Sequence, residues 1–281
     1  MKEGLTELVF ILDRSGSMSG LVSDTIGGFN SMFEKQKEVE GECKVTTILF
    51  DNLYEVLHER VDIKDIQPIT NKEYWVRGNT ALLDALGKAI NDLGVVLHNT
   101  PDENRPEKVM FVIITDGYEN ASREFTKEKV KEMVEHQSNV YNWEFIFLGA
   151  NIDAIDAAGQ IGIVKSRVSN YVADAEGTNK NFEDMNEILY SYRMSKSKES
   201  SDELIRKKML MMEEEHKIRV NKDKTPVVSD DNKTKTEKDD KKKGKKDNDN
   251  KASEDKIADK EKGKKKKGND ALPGFIKKYF A

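Results

Sequence analysis

Asp13, Ser15 and Ser17 stand at positions i, i+2 and i+4 of Asp13-Arg14-Ser15-Gly16-Ser17. In a loop of this spacing all three side chains can turn toward one point, and Gly16 permits the tight backbone path that requires. Thr80 adds a third hydroxyl and Asp116 a second carboxylate, which completes an all-oxygen set. Hard cations such as Mg²⁺, Mn²⁺ or Ca²⁺ bind such sets, whereas Zn²⁺ prefers His or Cys. With three hydroxyls and only one carboxylate bound directly, the ion stays under-neutralised and keeps a position open. An Asp or Glu carboxylate from another molecule would fill that position and make the metal a docking point.

Apolar runs of strand length must present these residues. The run 8–12 is wholly apolar and ends at Asp13, and the run 109–115 ends at Asp116; both patterns suit strands buried on two faces of a parallel sheet. Strands are also expected over 44–50 and 54–61, joined by the Asp51-Asn52 turn as an antiparallel hairpin, then over 143–148 and 167–171. Helical periodicity covers 19–39, 81–97, 126–137, 153–161 and 181–192. The order β-α-β-β-α-β-α-β-α-β-α predicts an α/β fold: a doubly wound, mostly parallel open sheet with helices on both faces. In such sheets ligands bind outside the carboxyl ends of the strands, where strand order reverses, and both aspartates end strands.

Three segments then resemble one family. Phe10-Ile11-Leu12-Asp13-Arg14-Ser15-Gly16-Ser17-Met18 resembles the D-x-S-x-S signature of von Willebrand factor A domains. Gly78-Asn79-Thr80-Ala81-Leu82 is similar to their threonine loop, and Ile113-Ile114-Thr115-Asp116-Gly117 to their T-D-G element. The resemblance spans about residues 5–195 and is strongest toward compact bacterial and phage members, including the tellurium-resistance-associated type. It implies the doubly wound sheet with one antiparallel edge strand, in agreement with the hairpin at Asp51. It also implies a metal-ion-dependent adhesion site made by Asp13, Ser15, Ser17, Thr80 and Asp116, holding Mg²⁺ (or Mn²⁺ or Ca²⁺). The partner would be a protein offering an Asp or Glu carboxylate.

Other chemistry is poorly supplied. His58, His98, His136 and His216 lack ligand spacing, no G-x-S-x-G elbow frames a serine nucleophile, and no phosphate-binding glycine pattern occurs. A binding module rather than an enzyme is expected. The alternatives are a metal-dependent phosphoesterase, with a carboxylate such as Glu119 as general base, and a scaffold in which the ion only stabilises the loops. Asp84, one turn beyond Thr80, is read as orienting the threonine loop. Glu119 and Asn120 are read either as rim residues or as ordinary solvated side chains. Cys43 is read as a buried thiol.

Composition divides the chain. Residues 1–220 carry a net charge of −12 and residues 221–281 carry +7. An acidic body repels phosphate, so specific nucleic-acid binding is not expected. A single cysteine excludes an internal disulfide. No secretory pattern opens the chain and nothing approaches the ~18–20 apolar residues of a membrane span, so a cytoplasmic location is expected. Residues 1–195 should form the folded domain and 196–220 a polar helical extension, whose stripe of Leu204, Lys208, Met211 and Glu215 reads as solvated, with a partner-binding helix as the alternative. Residues 221–270, rich in Lys, Asp and Glu, cannot offset ~1–2 kcal/mol per residue of ordering entropy and read as a disordered linker. Within 271–281, Leu272, Phe275, Ile276, Tyr279 and Phe280 fall on one helical face, expected to dock in a second partner groove; the alternatives are a face that folds back onto its own domain or has no role and, weaker, a membrane-surface anchor.

Overall fold

The protein was analysed as a computed structural model, which describes residues 1–223. The segment from 224 onward, with most of the expected linker and the face of Leu272, Phe275, Ile276, Tyr279 and Phe280, lies outside the described residues. Six strands form one sheet: β1 (Lys2–Asp13), β2 (Cys43–Phe50), β3 (Tyr54–Asp62), β4 (Pro106–Thr115), β5 (Glu144–Ala150) and β6 (Val168–Tyr171). Their spatial order is β3-β2-β1-β4-β5-β6. All neighbours pair parallel except β2 and β3, so the Asp51 hairpin places one antiparallel strand at an edge. Strand order reverses between β1 and β4, the two strands that deliver Asp13 and Asp116.

Six helices cover the sheet: α1 (Val22–Lys37), α2 (Leu82–His98), α3 (Lys127–Tyr141), α4 (Ala154–Gln160), α5 (Ala175–Met194) and α6 (Lys198–Asp223). Alternation along β1 decides what each face buries. Leu8, Phe10 and Leu12 face a core shared with α1, α5 and α6, while Val9 and Ile11 face one shared with α2, α3 and α4. Both sets are buried, which is why the run reads as continuously apolar. Among the described residues no helix is long and apolar enough to cross a membrane.

On the first face, α1 meets α5 so closely that a Cβ on Gly28 would stand 2.3 Å from Cδ2 of the buried Phe182. Gly28→Ala is therefore expected to overpack this contact and cost about 1–3 kcal/mol, read as a lowered urea midpoint. A compensating Phe182→Leu in the same chain should return part of the loss, and an unshifted midpoint in the single variant would disprove the close approach.

The extension beyond residue 195 corrects the expectation of a solvated helix. The buried side of α6 is Ser201, Ile205, Met209, Met212 and Glu213, whereas Leu204 and Met211, of the expected stripe, are each 45% exposed. Ile205, Met209 and Met212 join the core with α1 and α5. The polar members have partners: Glu213 Oε2 accepts from the backbone N and Nδ2 of Asn170 on edge strand β6, and Arg167 donates to Asp202. Glu213 thus satisfies part of the sheet edge.

Candidate metal centre

Each loop at the switch point is held by backbone as well as side chains. The first leaves β1 with Arg14 N donating to Phe50 O at 2.8 Å, and Ser15 N donating to Asp13 Oδ1 at 2.7 Å. A 3-10 turn over Gly16–Gly20 follows, and Ser17 on it faces Ser15 and Asp116. Tyr74, fully buried, donates its hydroxyl to Asp13 O at 2.6 Å. The threonine loop is clamped to the first, because Arg77 N donates to Arg14 O at 2.9 Å and Gly16 N to Gly78 O at 3.1 Å. Gly78 sits at φ +66, where a Cβ would lie 2.2 Å from Asn52 Oδ1; the free glycine edge lets that oxygen accept from Asn79 N. The third loop begins where β4 ends, so Asp116 enters directly from a rigid strand.

Four of the five predicted side chains, Ser15, Ser17, Thr80 and Asp116, meet one another directly. Ser15 Oγ and Ser17 Oγ are 3.0 Å apart, Thr80 Oγ1 donates to Ser15 Oγ at 3.1 Å, and Ser17 Oγ donates to Asp116 Oδ1 at 2.5 Å. Adjacent oxygens around an octahedral ion with ~2.1 Å bonds lie about 3 Å apart, so this spacing suits a hard divalent cation. Asp116 Oδ2 is buried and has no hydrogen-bond partner. A buried carboxylate oxygen left unpaired is costly, and a cation would satisfy it. Gly117 keeps the space clear, since a Cβ there would stand 3.1 Å from Thr80 Oγ1 and 3.2 Å from Ser17 Oγ. Only two of the five groups are carboxylates, and among the described residues no cluster of three or more His, Cys, Asp or Glu forms a metal site. The other three candidate groups are hydroxyls.

Asp13 is more deeply placed. Its Oδ1 is held by Ser15 N and its Oδ2 accepts from Thr115 Oγ1 at 2.6 Å, which ties the first loop to the end of β4. Burial pushes its carboxyl up to about 6; the Thr115 and Ser15 hydrogen bonds pull the other way, and the Asp116 charge adds to the rise. Burial also raises Asp116, against its hydrogen bond from Ser17. In the metal-free protein a raised folded-state pKa gives a stability contribution that is full below the ordinary 3.8 and lost as pH rises through about 6. For Asp13 that contribution is on the order of 3 kcal/mol. Wild type minus Asp13→Asn stability, measured by urea unfolding in EDTA, is expected to fall across this window; a flat difference curve would refute the burial of a titrating Asp13.

Several neighbours do other work than the sequence suggested. Asp84 does not orient the threonine loop; its carboxylate accepts from the backbone N of Arg123, Glu124 and Phe125 and anchors the loop after Asp116 to α2. Glu119 is not an ordinary solvated side chain: partly buried, it accepts from Leu83 N, Ala121 N, Ser122 N and Ser122 Oγ. Helix α2 begins after Ala81, which has no capping side chain, so Glu119 caps it from another loop. Asn120 orients the threonine loop, its Oδ1 accepting from Thr80 N at 3.0 Å and its N donating to Thr80 O at 3.0 Å. Cys43 is buried and free, its thiol pushed up to about 12 by burial.

Sequence reading missed Arg14, Asp51, Tyr74, Arg77 and Thr115. Arg14 is fully buried beneath the site and donates through Nε to Asp51 and through Nη2 to Glu55. Arg77 reaches the same Asp51 oxygen at 2.7 Å and stacks over Trp75, 4.4 Å from its ring centre. Arg14 at the variable position of D-x-S-x-S carries no sequence signal of burial, and its acidic partners lie 37 and 41 residues away.

No family model matches this sequence, and no curated protein does. Solved structures do. The pilus adhesin SpaC of Lactobacillus rhamnosus GG is similar at a TM-score of 0.51 and 11% identity, over 68% of this chain and 30% of that one. A von Willebrand factor type A protein from Catenulispora acidiphila has a TM-score of 0.46 and 12% identity, over 66% and 43%. Proximal thread matrix protein 1 from the mussel byssus, in a structure with a zinc-occupied MIDAS motif, has a TM-score of 0.46 and 14% identity, over 66% and 46%. This chain spans less than half the length of these proteins, and the likeness is one of fold alone.

Proposed function

We propose that the protein is a divalent-cation-dependent protein-binding module of von Willebrand factor A type, in which the metal grips an acidic side chain of a partner. The observation that carries this reading is the convergence of Ser15, Ser17, Thr80 and Asp116 at the switch point, with Asp116 Oδ2 buried and unpaired. Ser15, Ser17, Thr80 and Asp116 would hold the ion, and Asp13, fixed by Thr115, would orient the loop. The bound cation supplies a Lewis-acidic position open to a carboxylate. The all-oxygen set favours Mg²⁺, with Mn²⁺ or Ca²⁺ as substitutes.

The chain's own residues make that position rigid. The Arg14–Arg77–Asp51 network and the Asn120 contacts to Thr80 hold two loops against each other before any partner arrives. Such preorganisation lowers the entropy lost on binding. A phosphoesterase would need a general base at the metal, and the sequence candidate Glu119 is committed to four hydrogen bonds around the start of α2. The face of Leu272, Phe275, Ile276, Tyr279 and Phe280 is proposed as a second contact that raises avidity by tethering.

The test is affinity capture on the immobilised full chain in Mg²⁺, with elution by EDTA. Partners should be retained by wild type, released by chelation and absent from Thr80→Ala. Capture that survives both chelation and Thr80→Ala would overturn the reading. An EDTA-sensitive melting temperature without EDTA-sensitive capture would also overturn it, in favour of a metal that merely stabilises the loops.

A further inference from the structure

Helix α6 turns one side to the core and leaves another uncovered. Its middle reads Arg206-Lys207-Lys208, Met209-Leu210-Met211-Met212, Glu213-Glu214-Glu215: a basic block, an apolar block and an acidic block. Met209 and Met212 go to the core, while Leu210 and Ile218 are more than half exposed and Leu204 and Met211 nearly so. Leu204, Met211 and Ile218 recur every seven residues, so they lie along one line of the helix surface. Lys207 and Glu214, each three residues past a member of that line, run beside it and are exposed. Apolar side chains scattered singly over a surface are ordinary, but a line of them edged by charges is the pattern of a helix-pairing seam.

The charges beside the seam point to what covers it. Lys208 is held by Asp184 and Glu187, Lys217 by Glu213, and Arg219 by Asp174 and Glu176. Lys207 and Glu214, by contrast, enter no ion pair among the described residues. We infer that this face of α6 is the interface of a homodimer, in which α6 packs antiparallel on the α6 of a second copy about a two-fold axis near Met211. Reversal lays the basic block over the acidic block of the identical helix. Lys207 then faces Glu214 of the second copy, Leu204 meets Ile218 of the second copy, and the two Met211 side chains meet at the axis. A two-fold axis makes each contact occur twice. A parallel pairing would set Lys on Lys and Glu on Glu. The apolar line supplies the affinity, since exposed ion pairs contribute little, and the charges fix the antiparallel direction. The inference concerns α6 alone and does not rest on the metal assignment.

Sedimentation velocity of the full chain across the micromolar range tests it. Wild type should show a species of twice the chain mass whose share grows with concentration. Lys207→Glu and Glu214→Lys should each raise the dimer dissociation constant about tenfold or more, because two facing pairs turn repulsive at once. An equimolar mixture of the two variants should recover the dimer, since one copy then carries only acid beside the seam and the other only base. Both side chains are exposed, so the circular dichroism of each variant should match wild type. A wild-type chain that keeps the monomer mass throughout would overturn the proposal, leaving the face to solvent or to a different protein. Single variants that associate as wild type does would overturn it too, and so would a mixture that associates no better than either variant alone.

Discussion

Asp116→Ala is expected to abolish divalent-cation binding while leaving the metal-free protein at least as stable as wild type. The two halves of this outcome have one cause. Asp116 Oδ2 is buried without a partner, and burial raises the carboxyl's pKa, so in the absence of a cation this group destabilises the fold. A bound cation would find in Asp116 a charged ligand beside the three neutral hydroxyls of Ser15, Ser17 and Thr80. Removing it should weaken binding by more than the ~10–100-fold typical of losing an outer-shell partner. At a Mg²⁺ concentration 100 times its dissociation constant, wild type should gain about 2.7 kcal/mol of stability and the variant none. Paired melts in EDTA and in Mg²⁺ read both effects. A variant that melts well below wild type in EDTA would mean Asp116 is structural; one that still gains from Mg²⁺ would remove it from the ligand set.

The second large effect lies beneath the site. Asp51→Ala is expected to cost about 3–5 kcal/mol, the range for breaking a buried ion pair from one side. Asp51 accepts from Arg14 Nε at 3.0 Å, Arg77 Nε at 2.7 Å and Leu53 N at 2.7 Å. The Arg14 side chain is fully buried and its Nη1 already lacks a partner, so only the half-exposed Glu55 would remain to balance it. The damage should also reach the metal, because Arg14 and Arg77 belong to the two loops that bring Ser15 and Thr80 together. A ~10–100-fold loss of cation affinity is expected beside the lost stability. The double variant Arg14→Met/Asp51→Leu should recover much of the stability, since an apolar pair leaves no charge unpaired. Denaturant titration of the three chains checks this, and a single-variant cost below about 1 kcal/mol would show the pair to be effectively solvated.

Much of this architecture was legible in the residues themselves. Continuous apolar runs ending in Asp13 and Asp116 announce strands buried on both faces, and Asp51-Asn52 announces the hairpin that becomes the antiparallel edge. The five oxygen-bearing side chains could be named because local spacing and loop chemistry depend on residues near in sequence. The start of α5 was placed too late because its first turn, Ala175-Glu176-Gly177-Thr178, has little apolar periodicity; its signal is the cap Asp174, whose carboxylate accepts from Gly177 N.

What stayed hidden depends on contacts between residues far apart in the chain. Polar composition made α6 look solvated, yet its helix turns Ile205, Met209 and Met212 onto the core and gives Glu213 to an edge strand 43 residues earlier. Glu119 reads as a loop carboxylate until α2, lacking a cap of its own, is laid beside it. Arg14 reads as a spacer until Asp51, Glu55 and Trp75 are folded around it. The sequence by itself named the oxygen-bearing side chains proposed for the metal and the strands that deliver them, because hydrophobic period and ligand type are local properties. The tertiary structure alone decided what holds those side chains at one point and which polar groups remain unpaired. Both follow from the desolvation of charges and amides by segments distant in sequence, and no local pattern records that.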